Sequence, residues 1–424
     1  MGATSQRTRG RFAAIGVVGL ITVSLLTACS GSALHGDFRA AFAGDETVED
    51  FELSTADNMP FTDGLSAEVR ARDTASGDEL VALADRLSEF AREHAAEDVR
   101  ITIEAADLTV PVFADAEISA GAMARGLDLV DDDRVDSVIL SARTEAKGVT
   151  GVSVQLAEHG AGSPVLAFDL ARTIPMLLDD VTGGANLHLA IVADDRVRID
   201  GNAGAWVDDV EQVWRAVSNE VTVTALRAEP GRLKLTLAKE ADLAAAQELS
   251  AATEADLVVV FASPLVLLGA DASGDSARAL LGAVAPADVS GVRNVWTDDD
   301  RVEFFVDSVA QARSAATALS ARPESAAFTT LTVTVGDPDE PSLSVTAAPT
   351  RLGDIVASAG DLLADGDVAS LVSTPRSTTL VLAEDATDAE LESRLSTLSG
   401  LADEGSRLCA NRSDGTGICD SGAP

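Results

Sequence analysis

In GLSAEVRARDTASGDELVALADRLSEFAREHAAEDVRITIEAADLTVPVF, residues 64–113, the hydrophobic period switches from two to 3.6 and back. Gly64–Arg72 alternates apolar and polar side chains as a half-buried strand does. Ser76-x-x-Glu79 then reads as a capping box, opening a helix whose apolar face is Leu80, Leu83, Leu87 and Phe90. Val99–Ile103 and Leu108–Phe113 return to strand periodicity. A helix near Ser119–Val130 and a strand at Val135–Leu140 complete the order β-α-β-β-α-β.

Working outward, the same order is expected to recur. Val152–Leu156 and Val165–Phe168 read as strands, followed by a short helix at Ile174–Leu178 and a hairpin across Asp194-Asp195. A helix carrying Trp206, Val210, Val213, Trp214 and Val217 on one face follows. Further strands and helices fill residues 233–335, with an insertion holding a helix near Ala277–Val284. A last set runs from Leu343 to a helix opened by the capping box Thr387-x-x-Glu390. Turn chemistry separates the sets at Lys147-Gly148, Glu229-Pro230-Gly231 and Gly336-Asp337-Pro338-Asp339.

The fold class expected is therefore α+β: tandem ferredoxin-like β-α-β-β-α-β units whose antiparallel sheets carry helices on one face. The units would span 62–147, 148–230, 231–338 (with the insertion) and 339–424, after a tether and N-terminal segment at 29–61. One larger α+β fold with a continuous sheet stays open as the alternative. In element order the units also resemble the small α/β modules of envelope proteins such as BON-type domains.

The chain has 424 residues and is 46% hydrophobic, enough to build packed cores. Its 69 acidic residues against 31 basic ones give a formal net charge of −38. Such a surface repels phosphate backbones, so no nucleic-acid partner is expected. Aromatic residues are 4% of the chain and tyrosine is absent, which leaves little for base stacking.

At the N-terminus, Arg7, Arg9 and Arg11 precede an apolar run from Phe12 to Leu26, shorter than the roughly 20 residues a spanning helix needs. The run ends in Leu26-Thr27-Ala28-Cys29, followed by Ser30, Gly31 and Ser32. This segment resembles the lipobox of bacterial lipoproteins. The resemblance implies a signal peptide at 1–28, cleavage between Ala28 and Cys29, and a diacylglyceryl group on the Cys29 thiol. It places the body on the extracytoplasmic face of the cell membrane, held by lipid without a spanning helix. Arginine supplies nearly all the positive charge, with lysine only at 147, 234 and 239, and this usage resembles that of high-GC bacteria of actinobacterial type.

With Cys29 lipidated, Cys409 and Cys419 remain, ten positions apart around the turn-rich Asn411–Gly417. In an oxidising compartment they are expected to form a disulfide. A redox pair would favour Cys-x-x-Cys spacing at a helix start.

Residues that could carry chemistry are sparse. His35, His94, His159 and His188 are scattered, with no H-E-x-x-H spacing. There is no nucleophile elbow and no phosphate loop, and the nearest approach to Ser-x-x-Lys is Thr144 with Lys147. Asp131–Asp133 and Asp298–Asp300 lack the alternating ligands, central glycine and late glutamate of a calcium loop and read as solvated turns. No metal or other cofactor is expected. Trp206 and Trp214 lie eight apart on one helical face and read as core, whereas Trp296 beside a turn is the candidate contact residue.

The expectation is a non-enzymatic binding or interaction module of the cell envelope. Its partners would be the membrane, through the anchor at Cys29, and an envelope protein or ligand. The alternatives are an envelope hydrolase using acidic residues, or a solute-binding lipoprotein of a transporter. Hairpins weigh against the latter, which is built from doubly wound lobes with long crossovers.

Overall fold

A hairpin followed by a helix is the step that repeats along the chain, and it lays the strands down in sequence order in two sheets. The computed structural model describes residues 31–55, 64–143, 146–157, 162–194, 196–298, 300–399, 401 and 405–420. The first eleven-stranded sheet contains β1 (Val48–Ser54), β2 (Leu65–Ala71), β3 (Val99–Ala105), β4 (Leu108–Val112), β5 (Val135–Ser141), β6 (Gly151–Leu156), β7 (His188–Ala193), β8 (Val197–Asn202), β9 (Val223–Glu229), β10 (Arg232–Leu237) and β11 (Val258–Ala262). Its helices are α1 (Gly31–Phe42), α2 (Gly77–Glu93), α3 (Ala116–Val130), α4 (Ser163–Leu177), α5 (Trp206–Ser218) and α6 (Leu243–Ala251).

The nine-stranded second sheet contains β12 (Val266–Leu268), β13 (Val292–Asp298), β14 (Arg301–Val306), β15 (Thr330–Gly336), β16 (Pro341–Ala347), β17 (Val368–Thr374), β18 (Ser377–Leu382), β19 (Arg407–Arg412) and β20 (Gly417–Asp420). Its helices are α7 (Asp275–Ala283), α8 (Val309–Ser320), α9 (Pro349–Ala364) and α10 (Asp388–Leu398).

The chain is thus α+β, but the strands are not arranged as ferredoxin-like units. In that unit another strand splits the two strands that a helix joins. Here helix-linked strands are direct parallel neighbours, as in β2–β3, β4–β5 and β16–β17. Hairpin-linked strands are antiparallel neighbours. The turns expected to separate units are hairpin tips inside a sheet: Pro230-Gly231 joins β9 to β10, and the 337–340 turn joins β15 to β16. Between β5 and β6, Gly148 packs so tightly on the following segment that a Cβ there would lie 2.4 Å from the Val181 carbonyl oxygen. Each hairpin satisfies the edge that a free-standing unit would leave exposed.

Strand alternation puts one face of each sheet into a core. Leu65, Ala67, Val69 and Ala71 of β2 are buried, while Glu68 and Arg70 between them face solvent. Helices supply the second layer, and α2 buries Leu80, Leu83, Leu87 and Phe90 as its spacing predicts. Both expected capping boxes form, Ser76 with Glu79 and Thr387 with Glu390. In each, the backbone N–H and hydroxyl of the cap donate to the glutamate and hold its carboxyl below the usual range.

β11 is the exception to one-sided burial. Val258 at its start is exposed, but beyond it Phe261 lies in the first core while Val260 and Ala262 lie in the second. The unbroken run Leu257–Ala262 is the sequence mark of a strand covered on both sides. The layers change sides here, because the second core occupies the face that β10 leaves open.

Three local expectations are corrected. The segment expected to tether the body forms α1 and β1, with Phe38 and Phe42 of α1 meeting Phe51 and Phe90 through edge-on or tilted ring contacts. Residues 165–168 are helical, because Leu166, Phe168, Leu170 and Ile174 continue a 3.6 period that a four-residue window cannot distinguish from a strand. The expected insertion is a regular crossover, with α7 linking the parallel pair β12–β13.

Cys409 and Cys419 face each other across the β19–β20 hairpin, with Cα atoms 4.1 Å apart and sulfurs at disulfide distance. This hairpin closes one edge of the second sheet. Replacing both cysteines by serine is expected to cost about 2–3 kcal/mol by the chain-entropy relation for a short loop. The loss should be local, so amide exchange would rise in β19 and β20 and stay unchanged in the first sheet. Uniform exchange throughout the second sheet would contradict it.

Candidate functional site

Parallel β8 and β9 start out of step. Val197 pairs with Leu226, so Val223, Thr224 and Ala225 extend past the end of β8. The turn from β7 carries Arg196 to this overhang, and the start of α4 and the end of α5 approach from the helix layer. Together they enclose an open groove of about 720 Å³ lined by Pro164, Arg196, Val197, Trp214, Ser218 and residues 221–226. That volume suits a small organic ligand.

The floor is set by core packing. Trp214 is 9% exposed and packs on Phe168 with ring centroids 5.5 Å apart. Behind it, buried Glu211 accepts hydrogen bonds from Arg215 at 2.6 Å and pairs with Arg172 as well, which fixes the exposed side of α5. Val197, Val221 and Leu226 are buried beside the tryptophan. Ser218, Thr222 and Thr224 are polar residues of the walls, the Thr224 hydroxyl donating to the Thr236 carbonyl, and Arg196 is the cation among the lining residues. An apolar floor, a few hydroxyls and one guanidinium are complementary to an amphiphile with a single anionic head.

The residues singled out in the sequence are not gathered here, apart from Trp214. Cys29, Ala28 and His159 lie outside the described residues. Trp206 starts α5 and donates its indole N–H to the Asn202 carbonyl at 2.7 Å. Trp296 is half-buried on the side of β13 away from the second core, paired in register with Leu267, which is 37% exposed. His94 stacks on Phe90 at 4.4 Å, and His188 meets Asp200 at 3.0 Å.

Asp131–Asp133 form the turn after α3, while Asp298 ends β13 and Asp300 lies in the turn before β14; Asp299 lies outside the described residues. Asp132, in the turn after α3, is held below the usual carboxylate range by the Arg134 guanidinium. Asp298 and Arg301 close the β13–β14 hairpin with an ion pair of 3.2 Å. Among the described residues no group of histidine, cysteine or acidic side chains could hold a metal ion, and no helix is long and apolar enough to cross a membrane.

The groove itself left one trace in the sequence. Val221-Thr222-Val223-Thr224-Ala225 alternates cleanly, but only the strand stagger shows that it lies beyond β8 while still paired with β10. The chain matches no family model, no curated protein and no solved structure with which it was compared.

Proposed function

We propose that this chain is a lipid-anchored, extracytoplasmic binding protein without catalysis, and that its ligand is an amphiphile carrying one anionic head. The groove between α4, α5 and the β9 overhang carries the reading, since it sets an apolar floor under Trp214 beside the single lining cation Arg196. Anchoring follows from the lipobox-like Leu26–Cys29. A diacylated cysteine holds a body at the membrane without a span. The body's excess acid would keep it off an anionic surface, so the lipid alone would make the attachment.

The test pairs fractionation with ligand binding. Full-length chain should partition with membranes and carry acyl mass on Cys29, whereas Cys29→Ala should do neither. Dodecanoate should change the tryptophan fluorescence saturably, and Arg196→Glu should weaken its binding at least about tenfold. Thr224→Trp, which fills the groove, should abolish it. Equal partitioning of the two forms overturns the anchor, and dodecanoate binding indifferent to both groove variants overturns the ligand.

A further inference from the structure

The face of the first sheet turned away from its helices carries a row of bases that is unusual in so acidic a chain. Arg198 of β8, Arg227 of β9 and Lys234 of β10 occupy one register line, Arg198 paired with Arg227 and Arg227 with Lys234. Neighbouring strands lie about 4.8 Å apart, and like charges directly opposite each other are destabilising. Arg232, two residues along β10, adds a fourth cation. Its Nη2 is buried and meets no acceptor among the described residues. Asp200 neutralises Arg198 at 3.0 Å and Glu229 neutralises Arg227 at 3.0 Å. Among the described residues no ion pair is formed by Arg232 or Lys234, although Glu229 lies opposite Arg232 in register, so the four bases outnumber these two carboxylates by two.

Lys234 is positioned to turn this row into a site. Its ammonium donates to the Leu268 carbonyl at 2.6 Å and also contacts the Gly269 carbonyl, so the start of the second sheet's first crossover closes over one end of the row. Burial lowers its pKa first, and Arg227 and Arg232 lower it further. An anion here would relieve the repulsion and supply the acceptor that Arg232 lacks.

We propose that Arg198, Arg227, Arg232 and Lys234 form a binding site for a phosphate-bearing anion. Three planar guanidiniums suit the bidentate geometry of a phosphate, and an excess of two charges suits a dianion better than a single carboxylate. None of the four lines the groove, so the inference stands apart from the amphiphile reading. The phosphate could come from a soluble phosphate ester or from a lipid headgroup, and two probes separate these sources.

Calorimetric titration of the full chain would use sodium pyrophosphate and, separately, dihexanoyl phosphatidic acid, a phosphomonoester lipid, below its micelle concentration. Binding of at least one should be saturable, weaken with added salt, and fall about tenfold or more in Arg227→Gln. Arg227→Lys should restore part of it. Arg301→Gln, on the second sheet, should leave it unchanged. Because lysine occurs only at 147, 234 and 239, the ¹⁵N-lysine spectrum reports the site directly. The Lys234 ammonium signal should move with ligand and the other two should not. Pyrophosphate alone binding assigns a soluble ester, and the lipid binding at equal or greater affinity assigns a headgroup. Absence of saturable heat and of a Lys234 shift with both probes overturns the site, as does equal weakening by Arg301→Gln and Arg227→Gln.

Discussion

Phe261→Ala and Val260→Asp, one residue apart on β11, are expected to destabilise different halves of the molecule. Phe261 is 4% exposed and belongs to the first core, so its truncation removes a ring and leaves a cavity. The expected cost is about 3–5 kcal/mol. Val260 is equally buried but belongs to the second core, and Asp there would bring a carboxylate into that core with Lys234, its register partner on β10, as the neighbouring cation. Desolvating the carboxylate and losing the valine are expected to cost about 2–4 kcal/mol, with Lys234 offsetting part of the charge burial. Two cores of this size need not melt together. Trp206 and Trp214 sit in the first half and Trp296 in the second, so variants keeping one set or the other separate the two signals. Phe261→Ala should lower the denaturant midpoint seen by Trp206 and Trp214 most. Val260→Asp should lower the Trp296 midpoint most. Identical shifts in both signals for both variants would mean that β11 is not a boundary between cores.

The same strand shows why the sequence reveals composition better than arrangement. Periodicity located most elements, because Leu80, Leu83, Leu87 and Phe90 can share a face only if the segment is helical. It could not choose between split and sequential strand order. Both orders bury the same alternate residues of β2 and β3, and the difference lies in which backbone edge meets which. Gly148 and Pro230-Gly231 were visible as turns, yet a turn between modules and a hairpin tip inside a sheet use the same residues. The groove was less legible still. Trp214 reads as core, and it is core. It becomes a floor only because β9 starts three residues before its pairing with β8 begins. The basic row could not be read along the chain at all, since Arg198, Arg227 and Lys234 come from three strands separated by a helix and a turn.

Arg278→Met is the second change with a large expected effect, because one side chain ties the two halves together. Arg278 lies on α7 of the second half. It pairs with Glu240 at 2.8 Å, in the short 3-10 turn after β10, and donates to the Phe261 carbonyl at 2.6 Å. Glu240 also accepts from the Ser263 hydroxyl, whose oxygen receives the backbone N–H groups of Leu265 and Val266. The network therefore shapes the turn at which the core changes sides. Removing the guanidinium leaves the Glu240 carboxylate mostly covered and the Phe261 carbonyl without this donor. Breaking a fully buried pair costs about 3–5 kcal/mol, and the remaining exposure of Glu240 reduces the expectation to about 2–4 kcal/mol. Glu240→Gln, which can still accept from Ser263 and Arg278, should cost less. The double variant Glu240→Met/Arg278→Met should be more stable than Arg278→Met alone, since no orphaned charge remains. Unlike the β11 substitutions, Arg278→Met should lower the Trp214 and Trp296 midpoints together, because it loosens the joint and not a single core. A shift confined to Trp296 would show that Arg278 merely anchors α7, and the junction would then be held by β11 and by the Lys234 contact with the Leu268 and Gly269 carbonyls.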